Sequence, residues 1–428
     1  MPENLKFETL SLHAGHEPDP ITLSRAVPIF RTSSYVFKDT DHAANLFSLK
    51  EPGNIYTRLM NPTQDVLEKR MAALENGAAA LALSSGTAAI HNAVITICQA
   101  GDEIVSANNL YGGTHTMFNN ILPRFGIRTR FVDPETPDNF NQAISSKTRA
   151  IFIETIGNPA LGFTDIQAVS AIARRHNIPL IVDGTFTTPY LLQAINHGAD
   201  IVVNSMTKWI GGHGTGIGGI VIDAGRFNWQ DPKFTLFNDP DDSYGGLRFA
   251  HDLGASNPLA FILRMRLVPL RNLGACISPD NAWMFLQGIE TLALRMERHC
   301  QNAMQAAVFL KSHPEVAWIR YPGLPDDPAH SLSCRYLKKG FGGMVVFGIK
   351  GGRQRGARFI ERLKLFSHLA NVGDAKSLAL HPASTSHSQL SEKDQIKGGV
   401  TPDLIRLSIG IEHIDDIIGD LKQAFELQ

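Results

Sequence analysis

Cysteine is scarce in this chain. Only Cys98, Cys276, Cys300 and Cys334 occur in 428 residues, and no two are spaced as C-x-x-C. That spacing excludes a zinc signature and a disulfide framework, and it points to a reducing cytoplasm. An excess of charge of one sign is lacking as well: 40 Lys and Arg stand against 41 Asp and Glu, for a net charge of -1. The signs are interspersed, so there is no broad basic field for nucleic acid and no polybasic patch for a membrane. No uninterrupted apolar run approaches the roughly 18 residues of a membrane span. The start, Met1-Pro2-Glu3-Asn4, has no basic segment leading into an apolar one. Neither export nor membrane insertion is expected, and the expected partners are small molecules or copies of the chain itself.

What is present is an apolar content of 43%, ample for a large core. At about 150 residues per domain the length predicts two or three domains. Residues 1–60 are rich in Pro, Ser, Thr and Asp with little period and read as an arm that packs on something else. Residues 61–281 read as a large domain in which strand-like runs alternate with helical stretches. The runs are Ala79 to Leu83, Glu103 to Ala107, Arg128 to Val132, Ala150 to Glu154, Leu180 to Asp183, Asp200 to Asn204 and Gly219 to Ile222. Such alternation predicts an α/β fold with a mostly parallel sheet covered by helices. Residues 223–280, rich in Asp, Gly and Pro, read as an insertion near the active-site mouth. A long helical pattern from about Ala282 to Leu310 opens a smaller C-terminal α+β domain, 282–428. Its predicted strands are Gly343 to Ile349 and Leu404 to Ile409, with a closing helix from about Ile414.

The most informative local feature is Lys208, reached through Ser205-Met206-Thr207 and followed by a glycine run. A lysine amine condenses with an aldehyde cofactor, and small hydroxyl residues just before it can hold that cofactor's phosphate. A solitary lysine is ordinarily a solvated surface charge. Here, however, Asp200 to Asn204 reads as a buried strand that delivers Lys208 to its carboxyl end, where open α/β sheets bind ligands. Leu180 to Asp183 ends in a carboxylate at the same edge.

Two other motif matches fail. Gly214, Gly216 and Gly219 satisfy G-x-G-x-x-G, but that fingerprint needs a helix next and Ile220 to Ile222 reads as strand. Ser205-x-x-Lys208 matches the S-x-x-K of serine acyl enzymes, yet the accompanying S-D-N and K-T-G are absent.

Around the lysine, three further signals fall in the order one cofactor site requires. Ser85-Gly86-Thr87 joins a strand to a helix start and would offer N–H groups and hydroxyls at a positive helix end; plain helix capping by serine explains the same residues. Tyr111 follows a strand and could stack on a ring, or simply pack. Asp183 could keep a pyridine nitrogen protonated, or cap a turn.

With these in place the chain resembles a known family. Ser84-Ser-Gly-Thr87, Tyr111-Gly-Gly-Thr114, Glu154-Thr-Ile-Gly-Asn-Pro159, Ser205-Met-Thr-Lys-Trp-Ile-Gly-Gly-His213 and His381-Pro-Ala-Ser384 are similar to the pyridoxal-phosphate enzymes of cysteine and methionine metabolism. Ser11-Leu-His-Ala-Gly15, Ala26-Val-Pro-Ile29, Tyr56-Thr-Arg58 and Gly399-Val-Thr-Pro-Asp403 resemble its sulfhydrylase branch, and the long 223–280 segment suits that branch. The resemblance implies the aspartate aminotransferase type I fold and pyridoxal 5'-phosphate as cofactor. It implies γ-replacement on O-acetyl-L-homoserine to give L-homocysteine, with free sulfide, a thiol or sulfur delivered by a carrier protein left open as the donor. Cystathionine γ-synthase and methionine γ-lyase activities are the alternatives.

By the same resemblance Lys208 is the imine lysine, Asp183 the partner of the ring nitrogen and Tyr111 the stacking ring. Ser85, Gly86, Thr87, Ser205 and Thr207 hold phosphate. Tyr56 and Arg58 reach the phosphate of a neighbouring subunit, with Tyr56 also in catalysis, so the arm serves a partner and a homotetramer of paired dimers is implied. Arg406 alternates with Ile405, Leu407 and Ile409 on a predicted strand and from that pattern alone is a surface arginine. The resemblance makes it a clamp for the substrate carboxylate, with Asn158 and Asn371. His213, His381 and His387 fit no metal set and are expected to be structural; no metal is expected. Gly113 replaces the cysteine of methionine γ-lyases, and Asn371-Val-Gly373 replaces a Ser-Leu-Gly common in lyases and synthases. Both departures weigh against a lyase. Gly184 replaces the usual Asn beside Asp183.

Overall fold

A computed structural model describes residues 5–385 and 399–426. The chain begins with α1 (Phe7–His13) and α2 (Thr40–Phe47), the latter N-capped by Asp39, whose carboxylate accepts from His42 N. Between them the chain has almost no regular structure and leaves large apolar side chains in the open, with Val36 97% exposed. Helix α3 (Pro62–Glu75) has the start signals the sequence advertises: Asn61 caps it, Pro62 takes the first position, and Asn76 ends it in the left-handed conformation.

Seven strands then build the large sheet: β1 (Ala79–Leu83), β2 (Glu103–Ala107), β3 (Arg128–Val132), β4 (Thr148–Glu154), β5 (Leu180–Asp183), β6 (Ile201–Ser205) and β7 (Gly219–Asp223). Their order is β1-β7-β6-β5-β4-β2-β3. Strands β2 to β6 run parallel, and only β7 is antiparallel to its neighbours. The predicted α/β architecture is therefore the observed one. Central strands of such a sheet are covered on both faces, which is why Ile201-Val-Val and Leu180-Ile-Val are uninterrupted apolar runs. Because β2 to β6 are parallel, their carboxyl ends share one edge, and the turns leaving them define the site.

Residues 223–280 prove densely packed, and the long helical pattern needs correction. Residues 223–280 do not read as structure, yet Trp229, Phe234, Phe237, Phe249 and Phe261 are all buried. Trp229 stacks on Phe237 at 4.3 Å and on Phe261 at 5.5 Å between ring centroids. Arg264 ties the segment to the end of α4 (Gly86–Ile97) by donating to Thr96 O. The segment is thus a packed flank of the large sheet, and within one chain none of it lines the cleft described below. The helical pattern over 282–310 is two helices, Pro279–Glu290 and Leu292–Ser312, parted at Thr291. A single non-helical residue barely shifts the apolar phase, so the pattern reads as continuous.

The C-terminal sheet has five strands, ordered β10-β11-β12-β9-β8, with β8 (Val316–Arg320), β9 (Met344–Ile349), β10 (Ser367–His368), β11 (Leu378–Leu380) and β12 (Leu404–Ser408). Pairs are antiparallel except β10 with β11. Ile405, Leu407 and Ile409 pack into a second core with Ile417 and Leu421 of the closing helix Ile414–Phe425. Among the described residues no helix is long and apolar enough to cross a membrane, and no cluster of His, Cys, Asp and Glu could hold a metal ion.

Candidate functional site

A cleft opens at the carboxyl edge of the large sheet, closed from one side by the C-terminal sheet. Turn by turn, the large sheet contributes Ser85, Gly86 and Thr87 after β1, Tyr111 after β2, Asn158 after β4, Asp183 on β5, and Ser205, Thr207 and Lys208 at the end of β6. The C-terminal part adds Asn371 and Arg406. These residues lie up to 321 positions apart in sequence (406 minus 85), and the crossing of the two sheets is what brings them together.

Position 208 follows directly from β6. Lys208 N donates to Ser205 O, closing the turn, and Lys208 Nζ donates to Asn371 Oδ1 at 2.5 Å. Burial, and then the Arg406 guanidinium, lower the lysine to about 8. An amine so shifted has a far larger neutral fraction near physiological pH than an ordinary lysine, and the neutral form is the one that attacks a carbonyl. The backbone just beyond it is held by Arg295, which donates to Trp209 O, Ile210 O and Gly288 O.

Asp183 pairs in register with Glu154 on one side and Val203 on the other. Its Oδ1 accepts from Thr185 N at 2.8 Å, and burial raises its pKa. A cation placed against it would reverse that shift and hold the carboxylate charged.

At the opposite end Ser85 caps α4, accepting from Ala88 N at 3.0 Å, so the plain capping reading of this residue holds. Gly86 presses the turn onto β6: a Cβ at Gly86 would come 2.6 Å from Ser205 Cβ. Thr207 Oγ1 accepts from Gly218 N at 3.1 Å. The first turn of α4 and these hydroxyls face one another, the donor set that suits a phosphate.

Arg406 departs from the surface reading. Its neighbours Ile405 and Leu407 point into the C-terminal core, so the alternating face of β12 turns Arg406 into the cleft. Nη1 donates to Asn158 Oδ1 at 3.3 Å, burial pulls its pKa down to about 10, and among the described residues no carboxylate pairs with it. A half-buried cation without an acid partner is a receptor for an anion.

Tyr111 precedes α5 (Gly112–Thr116) and is 52% exposed, its ring lying over Gly113, where a Cβ would come 2.5 Å from ring Cε1. Tyr56 and Arg58 do not line the cleft of their own chain. Arg58 sits 5.2 Å over the Tyr56 ring, which is 41% exposed. His213 bonds Gly211 O, and His381 is buried between Ser384 Oγ and Pro402 O. His387 lies outside the described residues. Glu154 and Thr185, both on the cleft wall, escaped sequence reasoning as functional groups. The signal for Glu154 was present, since β4 ends in a carboxylate just as β5 does.

A cleft with an amine, a buried acid and a phosphate-sized donor set at fixed ends fits a pyridoxal phosphate, and residues 8–426 match the family described as Cys/Met metabolism PLP-dependent enzyme. The chain belongs to that family. Members similar to it include an O-acetyl-L-homoserine sulfhydrylase of Leptospira meyeri, 55% identical over all of this chain and 98% of that protein. A homocysteine synthase of Schizosaccharomyces pombe is 51% identical over 99% of each. Among solved structures, one described as an O-acetylhomoserine (thiol)-lyase from Campylobacter jejuni superposes with a TM-score of 0.95 at 42% identity, covering 99% of this chain and 100% of that one. That protein carries a pyridoxyl-lysine phosphate. As a family member the chain is a pyridoxal-phosphate-dependent enzyme.

Proposed function

We propose that this enzyme carries out γ-replacement, converting O-acetyl-L-homoserine and sulfide to L-homocysteine and acetate. The observation that carries the reading is the meeting, in one cleft, of a neutral-prone Lys208 amine with an unpaired Arg406 cation. The names of the similar L. meyeri and S. pombe proteins support the substrate and the product.

When bound, pyridoxal phosphate supplies an electron-withdrawing ring that stabilises negative charge at the substrate Cα. Lys208 Nζ would hold the cofactor covalently. The Lys208 amine, hydrogen-bonded to Asn371 Oδ1, would accept the substrate Cα proton and move protons at neighbouring carbons. Asp183 keeps the ring nitrogen protonated, and Tyr111 covers the ring face. Ser85, Gly86, Thr87, Ser205 and Thr207 hold the phosphate. Arg406 binds the substrate carboxylate, helped by Asn158 and Asn371, which aims Cα at the lysine. The C–O bond at Cγ breaks with loss of acetate, and hydrosulfide forms the new C–S bond there.

The same reading assigns residues 1–60 to an arm that serves a partner, 61–281 to the cofactor domain and 282–428 to the C-terminal domain. Tyr56 and Arg58 then complete the phosphate site of the neighbouring subunit, with Tyr56 also assisting catalysis. The active unit is a dimer at least, assembled as a homotetramer in the cytoplasm. A product assay tests the activity: O-acetyl-L-homoserine with sulfide should give homocysteine. Formation of cystathionine with cysteine, or of methanethiol from methionine alone, in place of homocysteine would overturn it.

A further inference from the structure

Glu154 is the buried titratable group of the cleft that the reaction above leaves without a task. It is only 6% exposed, lies at the carboxyl end of β4, and faces Asp183 across the β4–β5 register. Its Oε1 accepts from Tyr111 N at 2.7 Å, a contact spanning 43 residues of chain. Tyr111 stands at the N-cap of α5 without a side-chain cap, and among the described residues its N–H has no other acceptor. Tyr111 O accepts from His115 N at 3.0 Å and Gly112 and Gly113 follow it, so Glu154 is what holds the N–H side of this main chain.

We propose that Glu154 is a positioning residue of the cofactor site: its carboxyl oxygen fixes the Tyr111 main chain and so the ring that covers the pyridine. The inference rests on the assignment of Tyr111 to that face of the cofactor and adds a second acid beside Asp183. Burial, and then the Asp183 carboxylate, push Glu154 well above the usual carboxylate range. Protonated or charged, the Glu154 carboxyl group offers an accepting oxygen to Tyr111 N.

The arrangement makes a sharp distinction among substitutions. In the purified holoenzyme, Glu154→Gln retains the accepting oxygen and should keep the parental dissociation constant for pyridoxal phosphate and the parental visible circular dichroism of the bound cofactor. Glu154→Ala should weaken cofactor binding roughly tenfold and diminish that dichroism. Glu154→Asp, which keeps a polar group but withdraws it from the N–H, should do the same and serves if the alanine variant does not fold. In a Tyr111→Ala background, Glu154→Ala should add no further loss, because the residue acts through the tyrosine. Parental cofactor affinity and dichroism in the alanine or aspartate variant would overturn the proposal. So would a glutamine variant as impaired as alanine, or additive losses in the double variant. None of these readouts uses an ester or a sulfur donor, so a wrong substrate leaves them untouched. Failure of the parent to bind pyridoxal phosphate would instead remove the functional reading itself.

Discussion

Lys208 illustrates how a single residue is tuned by its surroundings. Its lowered pKa, to about 8, means that the folded chain loses the proton while the unfolded chain, near the ordinary lysine value of 10.5, still holds it. Stability of the cofactor-free protein should therefore rise with pH between about 8 and 10.5, where the unfolded state binds more protons. The rate at which cofactor-free protein captures pyridoxal phosphate should climb about tenfold per pH unit up to about 8 and then level. Stopped-flow absorbance against pH measures it; a profile still rising at pH 10 would contradict a depressed amine. For Arg406, the unpaired guanidinium argues that Arg406→Ala loses about 1.5 to 3 kcal/mol of substrate binding, roughly a ten- to hundredfold rise in KM for the ester. An unchanged KM would remove the carboxylate role. Both residues were legible in the sequence as candidates, Lys208 from its strand and hydroxyl neighbours, Arg406 only through the resemblance. Its own alternation said surface, because period two shows which side chains share a face and says nothing of what that face meets. Glu154 stood at a strand end like Asp183, but its task was not legible because its partner is a backbone N–H.

At the scale of elements, the strands that deliver the site were readable for a physical reason. Parallel strands covered on both faces must be continuously apolar, and those runs stop at polar residues where the cleft begins. Strands β10 and β11 were not readable, since two and three residues carry no period. The 223–280 segment failed differently: its buried aromatics come from loops and short helices, so neither period appears although the packing is dense. Its role as packed flank makes a prediction. Trp229→Ala opens a cavity among stacked rings and should cost about 3 to 5 kcal/mol of stability, read as a fall in the unfolding midpoint. The folded fraction should keep its KM for the ester. A raised KM with unchanged stability would restore this segment to the mouth of the site.

For the whole molecule, the exposed arm and the placement of Tyr56 and Arg58 away from their own cleft call for a test of subunit sharing. Lys208→Ala and Arg58→Ala chains, each nearly inactive alone, should regain activity when co-assembled, because a mixed pair holds one site with both defects and one with neither. A fully mixed population of pairs should reach about a quarter of parental activity, from half the pairs having one intact site of two. Absence of any recovery in verified hybrids would confine these residues to their own chain. Beneath every scale lies the covalent attachment of the cofactor at one amine. Borohydride reduction of the purified holoenzyme, followed by digestion and peptide mass mapping, measures it directly. The expected result is a single pyridoxyl tag on Lys208 in the peptide containing Ser205-Met206-Thr207; a tag on another lysine, or none, would contradict it.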